Sequence, residues 1–207
     1  MAAEHSPASE AADPSATAAT KEEVVTGDED QYLWERRHRV LERTIISSLY
    51  HRKRERFFGF WDRAASALAL IAGSAAFSEL LPEPEQKALA GAAVAVVSLP
   101  GLVFGWGESS RRHASLAARF KGLEADIEGQ GERDFDEGNV NSWERQIRIL
   151  ETEEPPVLST LVEQVQYEVA LSKWTPDSGE SAPVPVVWWK RRLMHWIDLG
   201  ASAPPRK

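Results

Sequence analysis

The sequence predicts an all-α protein: a two-span transmembrane helical hairpin with long cytoplasmic helical extensions packed as a stalk or bundle. Three observations predict it. Residues 64–78 and 88–107 contain no Asp, Glu, Lys, Arg or His, in a chain of 207 residues that is 27% charged. The stretches flanking the two runs are rich in arginine and place apolar residues at helical spacing. The segment between the runs, 79-ELLPEPEQK-87, is short, acidic and broken by Pro82 and Pro84. The mean hydropathy of −0.38 averages over these unlike parts.

Residues 1–30 hold no large aliphatic side chain except Val24 and Val25. They lack the basic and apolar regions of a secretory leader, and their Ala, Ser, Pro and acid content reads as a disordered tail. Residues 31–61 contain no Pro, and Leu41, Ile45 and Leu49 follow helical spacing. Glu35 and Arg39 form a favourable i,i+4 pair. A long helix is expected here, running into the first apolar run.

That run, 64–81, has six strongly apolar residues and seven alanines. As a helix it is roughly 27 Å long, close to the ~30 Å of a hydrocarbon core. The second run, 88–107, adds eight strongly apolar residues. Each run alone supplies only a few kcal/mol of insertion energy, so the two are expected to insert as a pair. Arg52, Lys53, Arg54, Arg56 and Arg63 precede the first, and Arg111, Arg112, Arg119 and Lys121 follow the second, whereas the turn holds three glutamates against Lys87. Positive charge stays on the cytoplasmic side. Both termini are therefore expected in the cytoplasm, with 79–87 as the far-side turn. Trp61 and Trp106 fall at one interface of such a hairpin. The competing reading is a soluble helical hairpin inside a bundle.

Small residues recur every four positions: Ala65, Ala69 and Gly73 in the first span, Gly101 and Gly105 in the second. They allow close helix approach, either between subunits or within the pair. Ser66, Ser74 and Ser78 share a face; they line a polar path in an oligomer or bond to their own backbone. Pro100 removes a donor mid-span and is expected to kink the helix.

Beyond the second span, Leu116, Phe120, Leu123 and Ile127 form a stripe that should pack on the first extension. Residues 129–139 read as a loop. Ser142 is placed to cap the next helix, Pro155 and Pro156 break it, and Leu158, Leu161, Val162, Val165, Val169 and Leu171 rebuild an apolar face. Residues 175–185 form a linker before 186-VVWWKRRLMHWIDLG-200, whose Trp188, Trp189 and Trp196 accompany three cations. That last helix lies in the headgroup region or docks on the stalk. The organisation is thus a tail (1–30), a stalk with its hairpin (31–128, spans 64–81 and 88–107), a helix-break-helix (129–174), and a linker with a Trp-rich basic helix (175–207).

With no cysteine, disulfides and thiolate chemistry are excluded. A net charge of −8 does not suit nucleic acid. The five histidines show no ligand spacing, and no catalytic or nucleotide-binding motif appears. The acids of 151-ETEE-154 beside Pro155 read as helix capping rather than as a cation site. Neither enzymatic activity nor a cofactor is expected.

A basic-aromatic entry helix, "YHRKRERFFGFWDR", a small-residue hairpin with a short acidic turn, and an amphipathic exit helix together resemble the bacterial SLATT proteins over residues 31–174. The segment "ILETEEPPVLSTLVEQVQYE" is similar to the helix-break-helix of related membrane proteins. The resemblance implies an oligomeric pore-forming or membrane-disrupting effector of antiviral defence in the bacterial inner membrane. It also implies a trigger from a cytoplasmic sensor or nucleotide-signalling partner. The span faces would carry that action. The alternative is a non-enzymatic membrane scaffold that recruits a cytoplasmic partner through its stalk.

Overall fold

The computed structural model describes residues 14–74, 83–131, 134–179 and 181–200. Every regular element among them is helical, as the sequence predicts. In chain order these are α1 (Pro14–Gly73), α2 (Pro84–Phe104), α3 (Trp106–Gly129), α4 (Glu137–Thr152), α5 (Ser159–Lys173), a 3-10 turn at Pro176–Ser178, and α6 (Trp188–Leu193).

Helix α1 is 60 residues long, about 90 Å from end to end. It begins at Pro14 and so takes in residues 14–30, assigned from composition to a disordered tail. Ala16, Ala18 and Ala19 followed by Lys21, Glu22 and Glu23 are strong helix formers, and proline is tolerated in a first turn. Helix α3 returns antiparallel along α1: Arg37 meets the carbonyl of Ile127, His51 meets His113, and Trp61 meets Trp106.

The predicted stripe on α3 is buried throughout, Phe120 and Ile127 completely. The matching face of α1 is not Leu41–Ile45–Leu49. Leu49 is exposed, and Leu41 and Ile45 are only partly buried. The buried positions are Arg37, Val40, Thr44, Ser48, Tyr50 and His51, a largely polar set. It tolerates burial because its polar groups are bonded: Thr44 Oγ1 donates to the Val40 carbonyl at 2.8 Å and Ser48 Oγ to that of Ile45 at 2.9 Å. Arg37 donates to the carbonyls of Ile127 and Gln130, capping the C-terminus of α3 with a cation where the helix dipole favours one.

Helices α4 and α5 close two cores against this pair. Val140, Trp143, Ile147 and Leu150 of α4 pack with Val40, Phe120, Leu123 and Ile127. Leu161, Val165 and Val169 of α5 pack with Tyr50 and with Met194 from the C-terminal segment. Leu171 is exposed, outside that face. The cap of α4 is Asp136 rather than Ser142. Its carboxylate accepts from the Asn139 amide at 2.8 Å, while the Asn139 side chain accepts from the Asp136 amide at 2.9 Å. This closed capping box starts the helix earlier and leaves Ser142 inside it. The break at Pro155 and Pro156 falls where predicted. The first turn of α5 is capped from a distance, since Asp198 accepts from the Ser159 amide and hydroxyl.

Candidate functional site

Where α1 leaves the bundle, three of the predicted anchor residues meet. The Trp61 ring lies 5.9 Å from Trp106 and 5.4 Å from Trp196. Trp196 also packs edge-on against Phe57, and His195 stacks on Phe57 at 4.7 Å. Arg54 donates to the His195 carbonyl at 2.7 Å and lies 4.4 Å over the Phe58 ring. The C-terminal segment is thereby docked on the stalk at the level of this collar, with Trp188, Trp189 and Trp196 still exposed. The helical part, α6, is only six residues long. Burial holds the His195 imidazole down at about 4, with the charges of Arg54 and Lys53 acting the same way.

Past the collar the packing stops. Leu70 is 76% exposed, Leu89 73%, Val96 67% and Val103 73%. Helix α2 runs back beside the end of α1. Among the described residues no helix is long and apolar enough to cross a membrane. The far part of the first run, 75–81, lies outside those residues.

The candidate span residues separate in this structure. Ala65 is half-buried, and Ser66, Ala69 and Ser74 are exposed. The Ser66 hydroxyl donates to the Asp62 carbonyl at 2.9 Å and that of Ser74 to Ile71 at 2.8 Å, so both serve their own helix. Gly73 ends α1, Ser78 lies outside the described residues, and Gly101 lies within α2. Helix α2 continues through Pro100 and breaks five residues later at Gly105, with φ 56° and ψ 49°. Gly105 is therefore a left-handed joint between α2 and α3. Close approach of α1 and α3 is made instead at Gly107, where a β-carbon would sit 2.8 Å from Asp62 Oδ1.

Directly beneath the collar lies a group the sequence reading left scattered. His51 and His113, fully buried and 3% exposed, share a hydrogen bond of 2.8 Å between their Nδ1 atoms. His51 Nε2 lies 2.9 Å from Glu154 Oε1. Phe120 stacks on His51, Phe58 stacks on His113, and Tyr50 meets both rings edge-on. The Tyr50 hydroxyl accepts from the Leu158 amide at 3.1 Å. Whichever of the two Nδ1 atoms carries the proton donates to the other, and His51 Nε2 is placed to donate to the carboxylate. Burial pushes the His113 imidazole down to about 3, helped by the charges of His51, Arg54 and Arg112.

The chain Glu154–His51–His113 joins three elements: the α4–α5 break, α1 and α3. It is an extended hydrogen-bonded line, and among the described residues no group of three such side chains converges on a metal position. The other acids of 151–154 are likewise bridges rather than caps: Glu151 pairs with Arg43 and Glu153 with Arg119. A sequence signal for the histidine pair exists. Residues 51 and 113 stand equally far from position 82, in the turn, so an antiparallel hairpin must bring them level.

No family model, curated protein or solved structure matches the chain.

Proposed function

We propose that the chain is a two-span membrane protein of the bacterial inner membrane with both termini in the cytoplasm. Its hairpins assemble into a homo-oligomer that permeabilises the bilayer when the cytoplasmic bundle is triggered by a sensor or signalling partner. The observation that carries this reading is the change of environment at the collar. On one side apolar residues are packed to completeness, as at Phe120 and Ile127. On the other, two apolar helices leave Leu70, Ile71, Leu89, Val96 and Val103 uncovered. Exposed apolar side chains of this number and size call for lipid or a partner. Tryptophans and arginines ringing the transition favour lipid. The resemblance to SLATT proteins supports the effector role. The scaffold alternative is favoured by one observation: the hydroxyls of Ser66 and Ser74 are engaged by their own helix, so they offer no polar lining to a channel.

The natural absence of cysteine makes the topology test clean. A Glu85→Cys variant in intact cells should react with a membrane-impermeant maleimide. A Ser202→Cys variant should react only after lysis. Equal labelling of both before lysis ends the two-span reading. Detergent-purified chain reconstituted into dye-loaded liposomes then separates the two functions: leakage supports the effector, and intact liposomes support the scaffold.

A further inference from the structure

A cavity of about 620 Å³ lies far from the collar in a groove between α1 and α4. Its walls include Arg36, Arg39 and Arg43 of α1 and Arg148 of α4, with Tyr32 and Asn141 at one end. Two of these guanidinium groups are committed. Arg36 grips Glu144 through Nε and Nη2, at 3.2 and 2.9 Å, bonds Asn141 at 2.8 Å, and lies 3.7 Å from Glu137. Arg43 pairs with Glu151. The same offset of 108 residues separates both ion pairs, so α1 and α4 run parallel here in fixed register. That register brings Arg39 level with Ile147 and beside Arg148.

Arg39 and Arg148 form no hydrogen bond or ion pair among the described residues. The expected partner of Arg39, Glu35, accepts from Gln31 instead. Both cations feel the Glu144 carboxylate only through space, because its two oxygens are taken by Arg36. Two uncommitted guanidinium forks thus face one groove from opposite walls, in a chain whose net charge is −8.

We propose that this groove binds a phosphate-bearing small molecule, its phosphate held between Arg39 and Arg148. A single fork satisfies a carboxylate, whereas the three terminal oxygens of a phosphate can engage two forks at once. The volume suits a small molecule rather than a bare ion. A lipid headgroup is the wrong source, since Arg39 lies about 33 Å along α1 from Trp61. Arg36 and Arg43, clamped by their glutamates, form the rigid rims of the site. The assignment is independent of the membrane reading and holds whatever surrounds the hairpin.

The test uses the full chain purified in detergent, with pyrophosphate as the probe at low, constant ionic strength. Calorimetry should show saturable binding, and thermal unfolding should move upward with pyrophosphate. Arg39→Ala and Arg148→Ala should each weaken binding about tenfold or more. Both should melt normally without ligand, because each removes an exposed side chain that makes no bond. Arg39→Lys keeps the charge but loses the fork, and should bind less tightly than the unaltered chain. No saturable binding, or unchanged affinity in both alanine variants, overturns the proposal. Equal binding of citrate overturns the phosphate assignment.

Discussion

The two halves of the α1 helix differ in what covers them. From Arg37 to Trp61 its inner face meets α3, α4, α5 and the C-terminal segment, and most of its polar groups there have partners. From Ser66 to Ile71 the side chains of the same helix are exposed, the large ones Leu68, Leu70 and Ile71 among them. The packed half is more polar in sequence than the bare half, which reverses the usual rule for water-soluble proteins. Burial in the stalk is achieved by satisfying polar groups. The hairpin leaves apolar groups uncovered, the kind of surface that a partner or lipid would cover.

The largest expected effect breaks this comparison at its two ends. Phe120→Ala opens a cavity in a fully buried site and removes the ring stacked on His51. It should cost about 3–5 kcal/mol, read as a lower unfolding temperature in detergent. Leu70→Ala, at a bare position, should leave that temperature unchanged. Leu70→Arg distinguishes the solvents directly. In water it is an innocuous surface change, within about 0.5 kcal/mol. In a bilayer it opposes insertion by about 2.5–3.5 kcal/mol, and the carbonate-resistant membrane fraction should fall. An undiminished fraction would place the bare half in water.

What was legible in the sequence follows the same division. Helix existence, the α3 stripe and the proline break depend on local pattern, and the structure reproduces them. Hydrophobic periodicity selects Leu41, Ile45 and Leu49 on α1, whereas the buried stripe is mainly polar, with Thr44 and Ser48 bonded to their own helix and Arg37 and His51 to α3. Ser142 looked like the cap because it precedes an apolar run. Asp136 took the role because Asn139 closes a capping box that a single-residue search does not see. The histidine chain and the arginine groove depend on register between distant helices. The first is recoverable from the hairpin's symmetry about position 82. The second needs the 108-residue offset between α1 and α4, which no local pattern encodes. Four-residue spacing places Gly105 on a packing face because it cannot distinguish a helix face from a left-handed joint.

A smaller effect should appear with pH, confined to the packed half. His113 titrates at about 3 in the fold and near 6.5 when unfolded. The unfolded chain therefore gains a proton as pH falls below about 6.5 while the folded chain does not. Stability must drop through that window until pH approaches 3. His195, at about 4, contributes in the same direction. At about 1.4 kcal/mol per pH unit for one group, His113 alone should remove roughly 2 kcal/mol by pH 5. A His113→Gln variant, which cannot ionise there, should flatten this part of the stability profile. An unchanged slope would mean that His113 is not held neutral by the bundle.

The smallest effect belongs to the border between the halves. Gly105 has a positive φ of 56°, and beyond its chain neighbours a β-carbon added there would first meet the Glu108 β-carbon, at 4.0 Å. Space is therefore open, and the cost of Gly105→Ala is that of the backbone alone, about 1–2 kcal/mol. Gly105→Asn should cost less, because asparagine tolerates the left-handed region. The penalty should fall on the joint rather than on the core. Amide exchange should rise in residues 103–109 while the amides around Phe120 stay protected. If alanine and asparagine behave alike and exchange is unaltered, the joint is not held left-handed. The stalk and hairpin would then share one continuous helix across residue 105, and the division between the two halves would lie elsewhere.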